Sequence, residues 1–435
     1  MEQNKLNINQ QTFCISPWTE VRINSDGTMN FCHFADRADL PNSEHINSMT
    51  VDEYFSNSNS AQSARKNILN GNPVARCHRC YKEDQHSEVT FRSRRNLQAA
   101  IFPGQDFQQS AEESPVWKII NADKSSPRFY HISFSNICNM ACVMCDGFNS
   151  TLLAADLNKI GLRDSSIPIK HDWTDTPTWG KFCDHLLNNN DIVCLHVMGG
   201  EPLYHKRFRD LITFLCNNNH TDFHLTFVTN GTIYDPELMT QLEKFKSVQI
   251  EISIENLDIS NDYIRYPGKT SKIVDNIRQY LAHSNEKFST VLRTVPQLLS
   301  LMHYDKLLDF CLEHSIIIDS NVLHRPEFFR PCYLPNSAKE VIKSRLARFI
   351  LKDKDVLHNI NVRNQSRVVE SISHHAQMII GLLDQTGVNI ETVRQELTDY
   401  CAKFDQLREH DLREFVPELA EFLDEYGYAK KRYQN

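Results

Sequence analysis

The sequence predicts an α/β protein: a partial (β/α)6 barrel of the TIM type, with a small cysteine-rich domain before it and a helical extension after it. Three observations carry this expectation. Between Arg128 and about Leu323, six short β-rich runs alternate with helical stretches at the spacing of repeated strand–helix units. The first 90 residues hold four spaced cysteines and two strong turn signals, and beyond Pro335 the apolar pattern becomes that of amphipathic helices. The expected boundaries are 1–90, 91–127, 128–335 and 336–435.

Taken in order, VRINSDGTMNFCHF reads as a hairpin, two alternating segments around an Asp26-Gly27 turn. Residues 91–127 are mixed and polar, with Pro103-Gly104 and Pro115 as breakers, and read as a connecting segment with some helix. The six strand candidates are FYHISFS, IVCLHVM, HLTFVT, VQIEISI, STVLRTV and SIIIDSNVL. Parallel neighbours need right-handed helical crossovers, so the sheet curls toward a partial barrel whose loops, and therefore ligands, gather at the strand C-terminal ends. Helical patterns follow at 337–352, 366–384, 389–408 and 416–425, without a metal or phosphate motif, and read as a cap or a partner surface.

Composition narrows the function. A formal net charge of −8 gives no general reason to bind nucleic acid, and the local strip Arg92, Arg94 and Arg95 reads as a solvated helix face. No apolar run approaches the ~20 residues that cross a bilayer, and MEQNKLNINQQTF has neither the basic nor the apolar region of an export signal. A cytoplasmic chain without a membrane partner is expected. There, thirteen cysteines in clusters point to metal or redox chemistry rather than to disulfides.

SNICNMACVMC sets Cys138, Cys142 and Cys145 directly after the first barrel strand. Three thiolates can hold three irons of a 4Fe-4S cube and leave the fourth iron open. One strand–helix unit later, Gly199, Gly200, Glu201 and Pro202 follow the next strand; the glycines permit close backbone approach and the carboxylate can accept an ammonium group. FVTNGT ends the third strand, where Thr229 and Asn230 offer polar groups or form a simple Asn-Gly turn. Ser253 and Glu255 share a side of the fourth. A zinc site built from the three cysteines and His131 would need the histidine to leave its strand.

The CxxxCxxC and GGEP motifs together resemble the radical S-adenosylmethionine (SAM) superfamily over residues 128–323. The resemblance implies that SAM chelates the open iron through its amino and carboxylate groups, and that one-electron reduction yields methionine and a 5′-deoxyadenosyl radical. It also implies a reductant such as flavodoxin or ferredoxin, and a peptide or small-molecule substrate. Arg265 and Arg293 resemble positions used near the SAM carboxylate or the substrate. The sequence departs from the family at Met144, where relatives carry an aromatic residue that packs on adenine, and at Glu255-Asn256, where many relatives have Asp-Gly.

Cys14, Cys32, Cys77 and Cys80 can converge on a tetrathiolate site, for an iron–sulfur cluster or for zinc. Their segments resemble the auxiliary-cluster unit of SPASM and twitch radical SAM proteins, which in most relatives follows the barrel and here precedes it. An auxiliary 4Fe-4S cluster with full ligation would serve electron transfer. Cys183, Cys194, Cys216, Cys311, Cys332 and Cys401 read as ordinary packing residues. The alternative from another class is a non-catalytic zinc protein that binds a partner through its helical tail.

Overall fold

The structure is a computed structural model of the chain and describes residues 12–37, 44–85, 90–101, 120, 126–323, 325–350 and 363–429. Its centre is one eight-stranded sheet, with strands β1 (Glu20–Ile23), β2 (Met29–Asn30), β3 (Phe129–Ile132), β4 (Cys194–Val197), β5 (His224–Thr229), β6 (Ser247–Ser253), β7 (Phe288–Thr294) and β8 (Ile317–Ser320). The order is β2-β1-β3-β4-β5-β6-β7-β8. All neighbours are parallel except the β1–β2 hairpin. The six expected strands are β3 to β8. The hairpin expected at the N-terminus adds two more, because β1 pairs in register with β3, Val21 opposite Tyr130 and Ile23 opposite Ile132.

Helices in chain order are α1 (Val51–Asn57), α2 (Asn59–Leu69), α3 (His78–Glu83), α4 (Phe91–Ile101), α5 (Thr151–Lys159), α6 (Thr178–Asn188), α7 (Lys206–Asn217), α8 (Pro236–Leu242), α9 (Ile259–Ile264), α10 (Thr270–Leu281), α11 (Tyr304–Glu313), α12 (Asn336–Leu346), α13 (Arg363–Asp384), α14 (Ile390–Arg408), α15 (Leu412–Phe415) and α16 (Ala420–Glu425). The expected breakers Pro103-Gly104 and Pro115 lie outside the described residues.

Strand side chains alternate between two environments, as the period of two requires. One set, Val21, Ile23, Tyr130, Ile132, Leu195, Val197, Leu225, Phe227, Ile250 and Ile252, is fully buried in the main hydrophobic core. The opposite face carries charge: Glu20, Arg22, His131, His196, Glu251, Arg293 and Asp319 alternate with the apolar set. His196 on β4 and Glu251 on β6 come within 3.9 Å although β5 runs between them, which a curved sheet allows.

The C-terminal helices cover the far edge of this sheet. On α13, the Ser371 hydroxyl donates to the Ile318 carbonyl of β8 at 2.6 Å, and His375 meets the Tyr304 hydroxyl of α11 at 2.6 Å. The edge strand thus has its polar groups occupied within the chain. Because β5 is central and Leu225 is fully buried, Leu225→Ala is expected to cost about 2–5 kcal/mol, read as a lower urea midpoint at unchanged slope.

Candidate functional site

The loop after β3 is closed on itself by a buried asparagine. Asn136 donates through Nδ2 to the carbonyls of Gly147 (3.1 Å) and Ile169 (2.8 Å), and its Oδ1 accepts from the His171 amide at 2.8 Å. Ser150 ends the loop by capping α5, accepting from the Leu153 amide at 3.1 Å. Within this frame sit Cys138, Cys142 and Cys145, the middle one buried and the others half-buried.

Two residues between the cysteines have both their backbone amide and their carbonyl held. The amides of Ala141 and Val143 donate to the carbonyls of Tyr266 (2.6 Å) and Ile264 (2.9 Å) at the end of α9. The carbonyls of the same two residues accept from α14, Ala141 from Arg408 Nη2 and Val143 from the Tyr400 hydroxyl, each at 2.8 Å. Arg408 also pairs with Asp156 on α5 at 2.9 Å and lies over the rings of Tyr266 (4.3 Å) and Phe404 (4.4 Å).

The glycine pair packs against the same loop. Gly199 and Gly200 have φ of +78° and +59°, and a Cβ on them would lie 2.2 Å from Ser133 Oγ and 2.5 Å from the Ile137 carbonyl. Only glycine meets both demands. Their close approach is to the strand end and loop that lead into Cys138. Glu201, buried, joins this segment to the end of β5: Oε1 accepts from the Leu203 amide (3.1 Å) and the Thr229 hydroxyl (2.8 Å), and Oε2 from the Asn230 amide (2.6 Å). Burial raises its carboxyl to about 7 against the lowering effect of these three donors. Asn230 Nδ2 reaches Asn139 Oδ1 at 2.7 Å and stands 3.9 Å from Cys138 Sγ.

Arg265 closes α9, buried, and pairs with Glu255 at 2.5 Å. Burial works against its charge, and the Glu255 carboxylate together with the Cys142 and Cys145 thiols more than offsets it, so the guanidinium is held above its ordinary range. Arg265 Nε and Arg408 Nη1 are buried donors without a hydrogen-bond partner among the described residues. Burial lifts Cys138 to about 12, with Glu201 and Cys142 adding to it. Burial also raises Cys142, opposed by Arg265 and then Arg408. Ser253 lies half-buried at the end of β6, opposite Arg293. Met144 packs half-buried on the main core.

A second group of thiols lies at the β2 edge. Cys14, Cys32, Cys77 and Cys80, up to 66 residues apart in sequence, line one pocket with Phe31, Tyr81 and Arg92. Arg92 is buried against Asp84 at 2.6 Å and Arg95 pairs with Glu20 at 2.8 Å, so the strip expected to be a solvated face is turned inward at two of its three positions. The apolar contacts of Phe91 and the interior acid Glu20 reverse the reading of a short charge run. His131 stays in β3, facing Glu20 at 3.4 Å and His196 at 3.2 Å. Among the described residues no three His, Cys, Asp or Glu side chains close on one point as a single-ion site requires.

Arg408 and Tyr400 were not among the expected site residues. Their i, i+8 spacing on one helix is visible, but nothing in the sequence tells which loop, more than 250 residues earlier, that face meets.

Residues 132–310 match the model of the radical SAM superfamily. The uncharacterized protein MJ0907 of Methanocaldococcus jannaschii is 26% identical over 143 residues, 32% of this chain and 42% of that protein. SuiB of Streptococcus suis, solved with S-adenosylmethionine, superposes with a TM-score of 0.36 at 16% identity, over 51% of this chain and 48% of that one. TYW1, solved with a lysine-pyruvate adduct, gives a TM-score of 0.28 at 17% identity, over 51% and 71%. The chain thus spans less than half the length of MJ0907 and of SuiB in the match with S-adenosylmethionine bound.

Arg408→Met should destabilise the fold by about 2–4 kcal/mol, since it strands Asp156 and the Ala141 carbonyl, and Tyr400→Phe by about 1 kcal/mol. In both, amide exchange at residues 141–145 should rise, read by mass spectrometry. For Glu201, a folded value near 7 against the ordinary 4.5 of a glutamate means that the folded state binds more protons between those pH values. Its contribution to stability is therefore fully present below about pH 4.5 and lost as pH rises through about 7. The melting temperature of wild type minus that of Glu201→Gln should fall as pH rises across that window; a rise would reverse the sign, and a constant difference would mean no shift.

Proposed function

We propose that this chain is a radical SAM enzyme whose catalytic 4Fe-4S cluster is ligated by Cys138, Cys142 and Cys145. The observation that carries the reading is the placement of these thiols on a loop locked between α9 and α14, against the Gly199–Glu201 segment, inside the matched residues 132–310. The donor set fits the group. Thiols of a cube each bind their own iron and stand around the cofactor, so they need not close on one point, and two buried guanidinium donors without partners face an anionic cofactor site.

When bound, the reduced cluster supplies cleavage of the SAM sulfonium to methionine and a 5′-deoxyadenosyl radical that takes hydrogen from the substrate. The residues around it bind and orient. Glu201 Oε2 accepts one amide and has a second lone-pair site for the SAM ammonium. Arg265 Nε offers a donor to the SAM carboxylate. Thr229 and Asn230 hold Glu201 and the approach to Cys138, while Gly199, Gly200, Ser253 and Met144 line the remaining SAM contacts.

Cys14, Cys32, Cys77 and Cys80 hold an auxiliary 4Fe-4S cluster in this reading, within a SPASM/twitch-like unit over 1–90 ahead of a core at 128–335 and a helical extension at 336–435. Four thiols lining one pocket accept a cube or zinc alike, and the resemblance to SPASM and twitch proteins favours the cube. Four thiolates leave no open iron, so this cluster moves an electron. A flavodoxin- or ferredoxin-class reductant, a peptide or small-molecule substrate and a reducing, cytoplasmic setting complete the proposal. No described helix is long and apolar enough to cross a membrane.

Anaerobically purified protein should hold on the order of eight irons, whereas about four irons and one zinc would replace the auxiliary cluster by zinc. Reduced protein given SAM should release 5′-deoxyadenosine. Cys142→Ala should abolish that release, and a variant that retains it refutes the cluster assignment.

A further inference from the structure

The charged face of the sheet sorts into partnered and unpartnered groups. Glu20 receives Arg95 at 2.8 Å and His131 at 3.4 Å. Across the sheet, Glu251 receives Arg293 at 2.5 Å, and Arg293 also reaches Asp319 at 3.2 Å. Arg22, on β1, has only neutral hydrogen-bond partners: His33 Nδ1 at 2.9 Å, Ser133 Oγ at 3.0 Å, Asn24 Oδ1 at 3.2 Å and the sulfur of Met198. Among the described residues no carboxylate lies within ion-pair distance of it. Asp26, whose field reaches Arg22, is turned to Thr28, accepting from its hydroxyl at 2.7 Å.

A guanidinium keeps its proton in proteins, so Arg22, half-buried and hydrogen-bonded to neutral groups, has no counter-charge in contact among the described residues. Burial, with Arg37 adding to it, lowers Arg22 to about 10, in keeping with that uncompensated charge. Its position says what would supply the compensation. Ser133 and Met198 are the residues against which and from which the glycine pair turns, so Arg22 lies one layer inside the Gly199–Glu201 segment. Behind it, His33 stacks on His131 at 4.8 Å and follows Cys32 of the four-cysteine pocket.

We propose that Arg22, with Ser133 and His33 beside it, binds an anionic group of the substrate, a carboxylate or a phosphate, inside the barrel between the two cysteine sites. This rests on the radical SAM reading, which makes that interior the place where substrate meets the radical. A guanidinium fork matches either oxyanion, and the neutral hydroxyl and imidazole can add hydrogen bonds without competing for the charge.

The experiment follows thermal unfolding of the anaerobic full-length protein titrated with sodium phosphate or sodium acetate, each against sodium chloride at equal ionic strength. At least one of the two anions should raise the wild-type melting temperature by a few degrees more than chloride does. A phosphate response alone marks a phosphorylated substrate and an acetate response a carboxylate. Arg22→Gln should lose the extra shift. Arg22→Lys should keep part of it, and serves if the Gln variant does not fold. Equal shifts in wild type and the folded variants overturn the inference, as does a wild type that responds to neither anion. A tenfold or greater loss of SAM affinity in Arg22→Gln would assign the charge to the cofactor's own carboxylate and also overturn it. A wild type that cleaves no SAM yet keeps the anion response would sink the cluster reading and leave the anion site standing.

Discussion

Everything at the candidate site depends on how the backbone amides and carbonyls of residues 141 and 143 are satisfied. Residues 138–145, which carry the three thiols, form neither strand nor helix, so their backbone donors and acceptors need partners from elsewhere. The end of α9 takes the amides and α14 takes the carbonyls. The loop is thereby fixed from both sides without using any cysteine, and its side chains remain available. Arg408 adds charge to this arrangement, pairing with Asp156 while its second terminal nitrogen remains open near Cys142.

The sheet makes that arrangement possible by separating two kinds of chemistry. Its helix-facing positions are mostly apolar, with Thr229, Thr290 and Thr294 among the buried exceptions, and supply the core, whereas the other face holds acids, arginines and histidines in contact across neighbouring strands. Such a face is costly to desolvate unless its charges are paired, and here most of them are. The exception at Arg22 is informative for that reason. The N-terminal hairpin contributes the residue, so the segment that carries the four-cysteine pocket also builds part of the barrel wall.

Within the Gly-Gly-Glu segment, the local physics differs from what a ligand-binding motif suggests in isolation. The two glycines are required by the neighbouring loop, which comes too close for any side chain. The glutamate braces two strand ends through three hydrogen bonds before any ligand is considered. A residue can do both, because a carboxylate has about four acceptor sites and only three are used.

The six barrel strands, their order along the chain, the C-terminal helices and the two groups of cysteines were legible in the sequence, because each is a local pattern: a period of two, a period of 3.6, a CxxxCxxC spacing after a strand. The pairing of β1 with β3 was not, since a four-residue strand separated from its partner by a hundred residues carries no sign of which edge it joins. Nor was the role of Arg92 and Arg95, whose partners Asp84 and Glu20 lie on other elements. The sequence by itself determined which residues have the chemistry, three thiols here, four there, an acid between glycines. Only the tertiary structure decided which of them meet, and that Tyr400 and Arg408 complete the loop, because contacts between distant segments follow from how the sheet curves and where its helices pack, which no local spacing records.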